Sequence, residues 1–368
     1  MGGPLRVGVV GAGKISGQYS ATIARLPQLS ITAVADLDAG RAAALAEQHP
    51  GAQAVALADL YAADVDVVLN LTTPGEHARV ALAALAAGKH VYGEKPLAAS
   101  SPEGQAIVDA ATAAGLRAAC APDTVLGTGV QTARVALESG AIGTPHAATA
   151  FMTAAGHERW HPDPEFYYRP GGGPLLDMGP YYLTALVHLL GPVRRVTGMS
   201  SRPRAERSIA SGPRAGTSFA VEVDTHLTGV LEHASGALTT LVMSFDVWAA
   251  RLPRIEIYGS AGSLALPDPN YFDGEVSLYT EQQPRWSVLA PSAGYAEAGR
   301  GVGLLELHDA LAESRPHRAA ADVALHLLDV MESMQTSADT GASVEIGTTC
   351  ARPAAIDKLI TLAAVQAA

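Results

Sequence analysis

The sequence predicts an α/β fold, with a doubly wound parallel sheet in its first third and a second, α+β domain after it. Three observations predict this. Apolar, strand-like runs alternate with helix-like segments from Leu5 to Ala121, which implies parallel strands joined by right-handed crossovers. The first run ends in a glycine turn, Gly11-Ala12-Gly13, that leads straight into a helical segment. After Asp123 the alternation stops, and short strands separated by turn signals follow. A chain of 368 residues exceeds one ordinary core, and the change of pattern divides it into residues 1–123 and 124–368.

Composition narrows the classes of function. The chain is 48% hydrophobic and 17% charged, as soluble globular proteins are. A net charge of −11 argues against a nucleic-acid partner or an anionic membrane surface. No apolar run reaches membrane-spanning length. The first strand begins near Leu5, which leaves no room for a signal peptide. The only two cysteines, Cys120 and Cys350, are far apart and match no metal spacing. They point to a reducing compartment, the cytoplasm, and to no bound metal. Only Lys14, Lys89, Lys95 and Lys358 of the 25 basic residues are lysines, so the place of each lysine is informative.

Leu5–Val10 is continuously apolar and reads as a strand buried on both faces. Gly11 and Gly13 let backbone approach a pyrophosphate, and the helix opened by Lys14 and Ile15 offers N–H donors to it. Ser16 stands where a third glycine usually falls. A second strand, Ser30–Ala35, ends at Asp36, the position of a ribose-hydroxyl ligand in a Rossmann dinucleotide fold. A carboxylate there repels a 2′-phosphate and favours NAD, while the nearby Arg41 leaves NADP open. The alternation continues through helix Ala39–Gln48, strand Val65–Leu71, helix His77–Ala87, strand His90–Gly93, helix Pro102–Ala114 and strand Arg117–Ala121. Ligands bind at the carboxyl ends of such strands. Thr72-Thr73-Pro74 and Glu94-Lys95-Pro96 occupy two of those ends, and Asp123 follows a third. Pro96 keeps Lys95 out of helical geometry and permits a cis bond. An ammonium fixed there can stabilise a developing alkoxide and lower a neighbour's pKa.

In the second domain, Thr132–Ser139 reads as a helix and Pro145–Thr153 as a strand. The segment from His157 to Arg169 mixes His157, Trp160, His161 and Arg169 with acids and further aromatics. Planar rings for a sugar face and polar groups for its hydroxyls suit a carbohydrate. Gly171-Gly172-Gly173-Pro174 then opens a helix that is apolar on almost every side to Leu190 and is stopped by Gly191-Pro192. Asp177 and Tyr181 lie four apart on one face of it, with Tyr182 beside them as a further substrate candidate. A carboxylate inside such a helix needs a partner. Arg202–Thr217 reads as an exposed excursion and Ser292–Gly301 as a mobile loop. Val302–Ala312 and Ala319–Ala338 read as helices with a turn at Pro316 between them, and His317 and His326 read as structural.

Gly11-x-Gly13, Thr73-Pro74-x-x-His77, Gly88-Lys89-His90-Val91-x-x-Glu94-Lys95-Pro96-Leu97 and Gly171-Gly172-Gly173-x-Leu175-x-Asp177-x-Gly179, in this order, resemble the glucose–fructose oxidoreductase / inositol dehydrogenase (Gfo/Idh/MocA) family. The resemblance covers essentially the whole chain. It implies a hydride transfer between NAD(P) and a hydroxyl-bearing carbon of a sugar or cyclitol. It implies a mostly antiparallel open sheet in the second domain, which Phe219–Glu232, Leu238–Val247, Arg254–Gly259 and Gly262–Leu266 fit. It also implies C-terminal helices that return to the first domain, and a homodimer or homotetramer formed through the sheet. Thr72, Thr73, Pro74, His77 and Glu94 then lie along the nicotinamide half, Lys95 polarises the substrate oxygen and Asp177 binds a hydroxyl. The family pattern Asp-x-Gly-x-His departs here to Tyr181. The general base falls to Tyr181 with its pKa drawn down by Lys95, or to His157 or His161. Two other classes stay open: redox-assisted glycoside elimination with retained NAD, and a non-catalytic sugar or dinucleotide sensor.

Overall fold

The structure, a computed structural model, describes residues 3–366. Contacts divide the chain into two units: residues 1–131, 291–328 and 353–368 form the first, and residues 132–290 and 329–352 the second. The units are therefore not the consecutive segments 1–123 and 124–368. The reason is that residues 291–328 and 353–368 make their contacts with the N-terminal sheet and its helices, as described below.

The first unit is built on β1 (Leu5–Val10), β2 (Leu29–Ala35), β3 (Gln53–Ala54), β4 (Val67–Asn70), β5 (His90–Gly93) and β6 (Ala118–Cys120). All are parallel, in the order β3-β2-β1-β4-β5-β6. The order reverses at β1, between β2 and β4, which places a crevice beyond the carboxyl ends of those strands. Helices α1 (Ser16–Ile23), α2 (Ala39–Ala46), α3 (Leu57–Ala62), α4 (His77–Ala86) and α5 (Ser101–Ala114) alternate with them. Val7, Val34, Val67, Val68, Leu69 and Tyr92 are fully buried in this sheet, as the continuous apolar runs require.

α6 (Thr128–Glu138) leads into the second unit. There β7 (Pro145–Thr153), α7 (Gly173–Leu190), β8 (Val193–Ser201), β9 (Glu206–Ser208), β10 (Ser218–Ala220), β11 (His226–His233), β12 (Leu238–Ser244), β13 (Ile255–Gly259), β14 (Gly262–Leu266), β15 (Val276–Thr280) and β16 (Ser287–Leu289) follow. The strand β17 (Gly294–Ala296), α8 (Val302–Ala312), α9 (Ala321–Thr340), β18 (Val344–Glu345), β19 (Leu359–Thr361) and α10 (Leu362–Gln366) complete the chain. A nine-stranded sheet runs β16-β15-β14-β13-β7-β12-β11-β8-β18, antiparallel throughout except for the β7–β12 pair. α7 packs on β7, β11 and β12 of this sheet. From Gly179 to Leu190 every residue of α7 is buried, so its largely apolar composition reflects burial on all sides.

Two segments differ from expectation. Arg202–Thr217 is not a plain exposed excursion: β9 and β10 form an antiparallel ribbon, and Arg207 and Ile209 are buried at 4% and 1%. The expected strand Phe219–Glu232 is accordingly two strands, β10 and β11, separated by a turn. Ser292–Gly301 is not a mobile loop. Its β17 pairs in parallel with β19, Tyr295 is 3% exposed, and Asp123 Oδ2 accepts hydrogen bonds from Gly301 N at 2.7 Å and Gly303 N at 3.1 Å. Its glycines were read as flexibility, but here they allow close backbone approach to Tyr19 and Thr22 of α1. His317 Nε2 donates to the Ala118 carbonyl, 3.0 Å away, and His326 is fully buried.

Candidate active site

At the nucleotide end of the first unit, Gly11 has φ of +99°, and a Cβ there would lie 2.7 Å from the Leu71 carbonyl oxygen. Only glycine fits. Gly13 faces open space, so a ligand can reach its backbone. Lys14 is exposed, Ile15 forms the N-cap, and no side chain caps α1. Asp36 stands at the end of β2. Its Oδ2 accepts from Ala12 N at 2.7 Å, and its Oδ1 from Asp38 N at 2.8 Å and Arg41 Nη2 at 3.0 Å. Burial alone would raise its pKa, but these donors outweigh it and hold the carboxyl below the usual range. The carboxylate is thus ionised and tied directly to the glycine turn. Beside it Leu37 is wholly exposed. An open glycine turn, an uncapped helix start and a fixed carboxylate are what a dinucleotide requires, and the residues present fit NAD.

The next two strand ends are joined to each other. Asn70, 2% exposed, accepts at Oδ1 from the Thr72 hydroxyl at 2.6 Å and donates from Nδ2 to the His77 carbonyl at 3.0 Å. His77 is buried, with its ring nitrogens 3.0 Å from the Thr72 carbonyl and 2.6 Å from the Pro96 carbonyl. Its ring therefore links the Thr72–Pro74 and Lys95–Pro96 loops, and Thr73 and Pro74 are exposed. Glu94, 9% exposed, accepts from the Tyr19 hydroxyl at 2.6 Å and from Lys95 N at 3.0 Å. The Lys95–Pro96 peptide is cis. Lys95 is thus anchored at its backbone, with its side chain half-buried. Sequence reasoning missed Tyr19 and Asn70. The polar end of the otherwise apolar run Val67-Val68-Leu69-Asn70 was the signal for the second.

In the second unit the carboxylate of α7 has the partner its position demands. Asp177 Oδ2 lies 2.8 Å from His157 Nε2, with the two side chains 16% and 10% exposed. Tyr181, one turn further on, is 6% exposed. His157 sits on a short 3-10 turn, His157–Arg159, and its ring packs against Trp160, Tyr167 and Phe245. The turn is held from below. Tyr168 donates to Glu158 and accepts from His157 N at 2.9 Å. Arg207 binds Glu158 at 2.8 Å and Asp246 at 2.6 Å, with its guanidinium 4.9 Å from the Tyr168 ring centre. Gly156, at φ of +103°, lets the Glu158 carboxylate and the Arg207 guanidinium lie against the backbone.

Two expected substrate residues stand elsewhere. Tyr182 is 0% exposed. It is five residues past Asp177, roughly 140° round the helix, and burial pushes its pKa up; it belongs to the core. Arg169 is exposed and paired with Glu165 at 2.7 Å. Trp160 and His161 are in ring contact with each other at 5.4 Å and, through Trp160, with His157. Glu158, Arg207 and Phe245 were missed, because their partners are distant in sequence. Among the described residues no cluster of three or more His, Cys, Asp or Glu is placed to hold a metal ion. No helix among them is long and apolar enough to cross a membrane.

The parallel sheet, its glycine turn and Asp36 define an NAD-binding Rossmann oxidoreductase. Residues 5–121 match the "Oxidoreductase family, NAD-binding Rossmann fold" of the GFO/IDH/MocA group, and residues 130–265 match the "GFO/IDH/MocA C-terminal domain". The chain belongs to this family. It is similar to the inositol 2-dehydrogenase of Klebsiella pneumoniae (strain 342), 41% identical over 118 residues, which is 31% of this chain and 35% of that protein. The chain therefore matches only about a third of that relative's length. It is similar along most of its length to the D-glucoside 3-dehydrogenase of Escherichia coli (strain K12), 26% identical over 93% of this chain and 98% of that protein. Its fold is that of levoglucosan dehydrogenase solved with NADH and L-sorbose: TM-score 0.81, 20% identity, covering 94% of this chain and 100% of the other.

Proposed function

We propose that the protein is an NAD-dependent dehydrogenase or reductase acting at a hydroxyl-bearing carbon of a sugar, sugar derivative or cyclitol. The observation that carries the reading is Asp177: a carboxylate held by His157 in an apolar helix, in a chain of this family that also keeps Lys95 anchored at a strand end. The named activities of the glucoside and inositol dehydrogenases support the substrate class.

In this reading Gly11, Gly13, Lys14 and Ile15 hold the pyrophosphate and Asp36 the adenosine ribose. Thr72, Thr73 and Pro74 line the nicotinamide half, with His77 and Glu94 fixing their loops. NAD held by these residues would supply a hydride acceptor for oxidation, and NADH a hydride donor for reduction. Lys95 polarises the substrate oxygen and stabilises negative charge on it. Asp177, oriented by His157, accepts a hydrogen bond from a substrate hydroxyl. Tyr181 takes the hydroxyl proton as the carbon is oxidised and returns it in reduction. His157 serves Asp177 with its Nε2, so its part in this scheme is to hold the carboxylate.

The protein also acts, in this proposal, as a cytoplasmic homodimer or homotetramer joined through the outer face of the nine-stranded sheet. Met199 and Val230 are exposed on that face at 73% and 42%. Strand register puts Met199 beside Thr228, two residues from Val230 on the same face. Light scattering on wild type and Val230→Lys tests it, with a fall in mass expected for the variant.

The activity is tested by following NADH formation with NAD or NADP against free sugars, glycosides, sugar phosphates and inositols, on wild type and Lys95→Ala. A lysine-dependent signal with one class supports the reading. Turnover of a glycoside with catalytic NAD and no net NADH would replace it with redox-assisted elimination, and NAD binding without turnover would replace it with a sensor.

A further inference from the structure

The ring contacts around His157 run outward. His157 meets Tyr167 at 4.3 Å between centroids and Trp160 at 5.2 Å. Tyr167 meets Phe166 at 4.0 Å, and Trp160 meets His161 at 5.4 Å, which in turn meets Phe166 at 5.5 Å. Exposure climbs along the series, from 8% at His157 to 55% at Phe166 and 56% at Trp160. A second loop contributes Trp248, 65% exposed, with the Arg159 guanidinium 4.3 Å above its ring. Three large aromatic side chains left in solvent on two neighbouring loops are unusual for a packed protein. They are also rigidly mounted. Glu158 and Arg207, buried beneath the same turn, fix its backbone through Tyr168 and Asp246. Ion pairs of this kind contribute little net stability in themselves, but a surface ordered in advance reduces the entropy lost on binding.

We propose that Trp160, Phe166 and Trp248, with Arg159, form a second subsite that takes the distal ring of a glycoside, a second sugar or an aryl aglycone, while the reacting ring lies at Asp177. The inference rests on the sugar-oxidoreductase reading and narrows its substrate to two-ring glycosides. The C–H face of a pyranose, or the face of an aryl group, packs on indole and phenyl rings. Arg159 and His161 supply the polar contacts at the ring edges. The occupant is a continuation of the substrate because the aromatic series begins in direct contact with the residue that holds Asp177.

The test compares a methyl glycoside, a disaccharide and a phenyl glycoside of the same hexose, with NAD, on the full chain. Rates are measured as kcat/KM, binding of the same three compounds by calorimetry in the presence of NAD, and mass by light scattering, for wild type, Trp160→Ala and Trp248→Ala. The expected result is a wild-type preference for the two-ring compounds of about tenfold, with the ratio falling toward one in both variants. Equal use of one-ring and two-ring compounds by wild type overturns the subsite, as does a ratio unchanged in both variants. A change of mass with the ratio retained overturns it in favour of contact between copies of the chain. If no compound yields NADH but the two-ring compounds bind in a Trp160-dependent way, the oxidoreductase reading fails and the subsite stands. If the methyl glycoside is oxidised and no two-ring compound binds more tightly, the reading stands and the subsite fails.

Discussion

His157 Nε2 stands 2.8 Å from Asp177 Oδ2, and the two groups reach each other from a 3-10 turn and a buried helix. Neither would be stable in that position alone, since a largely buried carboxylate needs a donor. The pair should therefore behave as a unit. Asp177→Asn and His157→Gln are each expected to lower kcat/KM by about a hundredfold, and the double variant to be little worse than the poorer single one. Steady-state kinetics of the three variants checks it. Additive losses would mean that the two side chains act separately.

Tyr181 follows Asp177 by one helical turn. Tyr181→Phe retains the ring and removes only the hydroxyl. A loss of about a hundredfold or more in kcat with KM nearly unchanged is expected of a general base. A kcat close to wild type would assign the proton to another group.

Asp36 links the glycine turn to the end of β2 and holds Arg41. In Asp36→Ala the guanidinium is released and the repulsion of a 2′-phosphate disappears. NAD should then bind about tenfold or more weakly while NADP weakens less or improves. Titration of both cofactors measures this, and an unchanged preference would remove Asp36 from the ribose.

Arg207 lies between Glu158 and Asp246 with its side chain 1% exposed. Truncating it to alanine leaves two carboxylates without their cation. A loss of about 3–5 kcal/mol is expected from chemical denaturation. Replacing Arg207 by leucine and both acids by uncharged isosteres together should recover part of that loss.

Asp66 accepts from Arg6 Nε at 2.9 Å and Nη2 at 2.6 Å. The Arg6 hydrogen bond holds its carboxyl below the ordinary value of 3.8. A folded-state value below the unfolded one stabilises the fold above that pH range, and the contribution is lost as pH falls through it. Both groups are well hydrated, so the effect is small. Asp66→Asn should lower Tm near neutral pH by about 2 °C, with the difference shrinking as pH falls below the ordinary carboxylate range. Thermal denaturation across that range decides it.

Much of the first unit was legible because parallel strands buried on both faces are written as continuous apolar runs. Leu5–Val10 and His90–Gly93 have the expected limits. β3 and α3 were not anticipated: β3 is two exposed residues at the sheet edge, and α3 is six residues long. In the second unit β8, β15 and β16 were missed: β8 interrupts its apolar positions with the exposed Arg194, Arg195 and Thr197, and β15 and β16 are only five and three residues long. The site divides along the same line. Asp177 and Tyr181 were visible through helical spacing, which is local. That His157 holds Asp177 and that Arg207 holds Glu158 depends on contacts 20 and 49 residues apart, which no local spacing encodes. Tyr182 was misread because adjacency in sequence is separation around a helix.

The strand Gly294–Ala296 and the residues that Asp123 grips at Gly301 and Gly303 belong to the same unit as the glycine turn, and Gly299 and Gly301 lie against Thr22 and Tyr19 of the helix it opens. The partner of that strand is Leu359–Thr361. The ribosome delivers the turn first, residues 294–303 only after eight of the nine strands of the second sheet, and Leu359–Thr361 after all nine. A nascent chain can form the alternating strands early, but the helix opened by the glycine turn gains its backing only once residues 294–303 and 359–361 have been made. Competence to hold the cofactor thus lags behind the sheet, and a cut made between residues 131 and 291 would separate the nucleotide site from the residues that brace it.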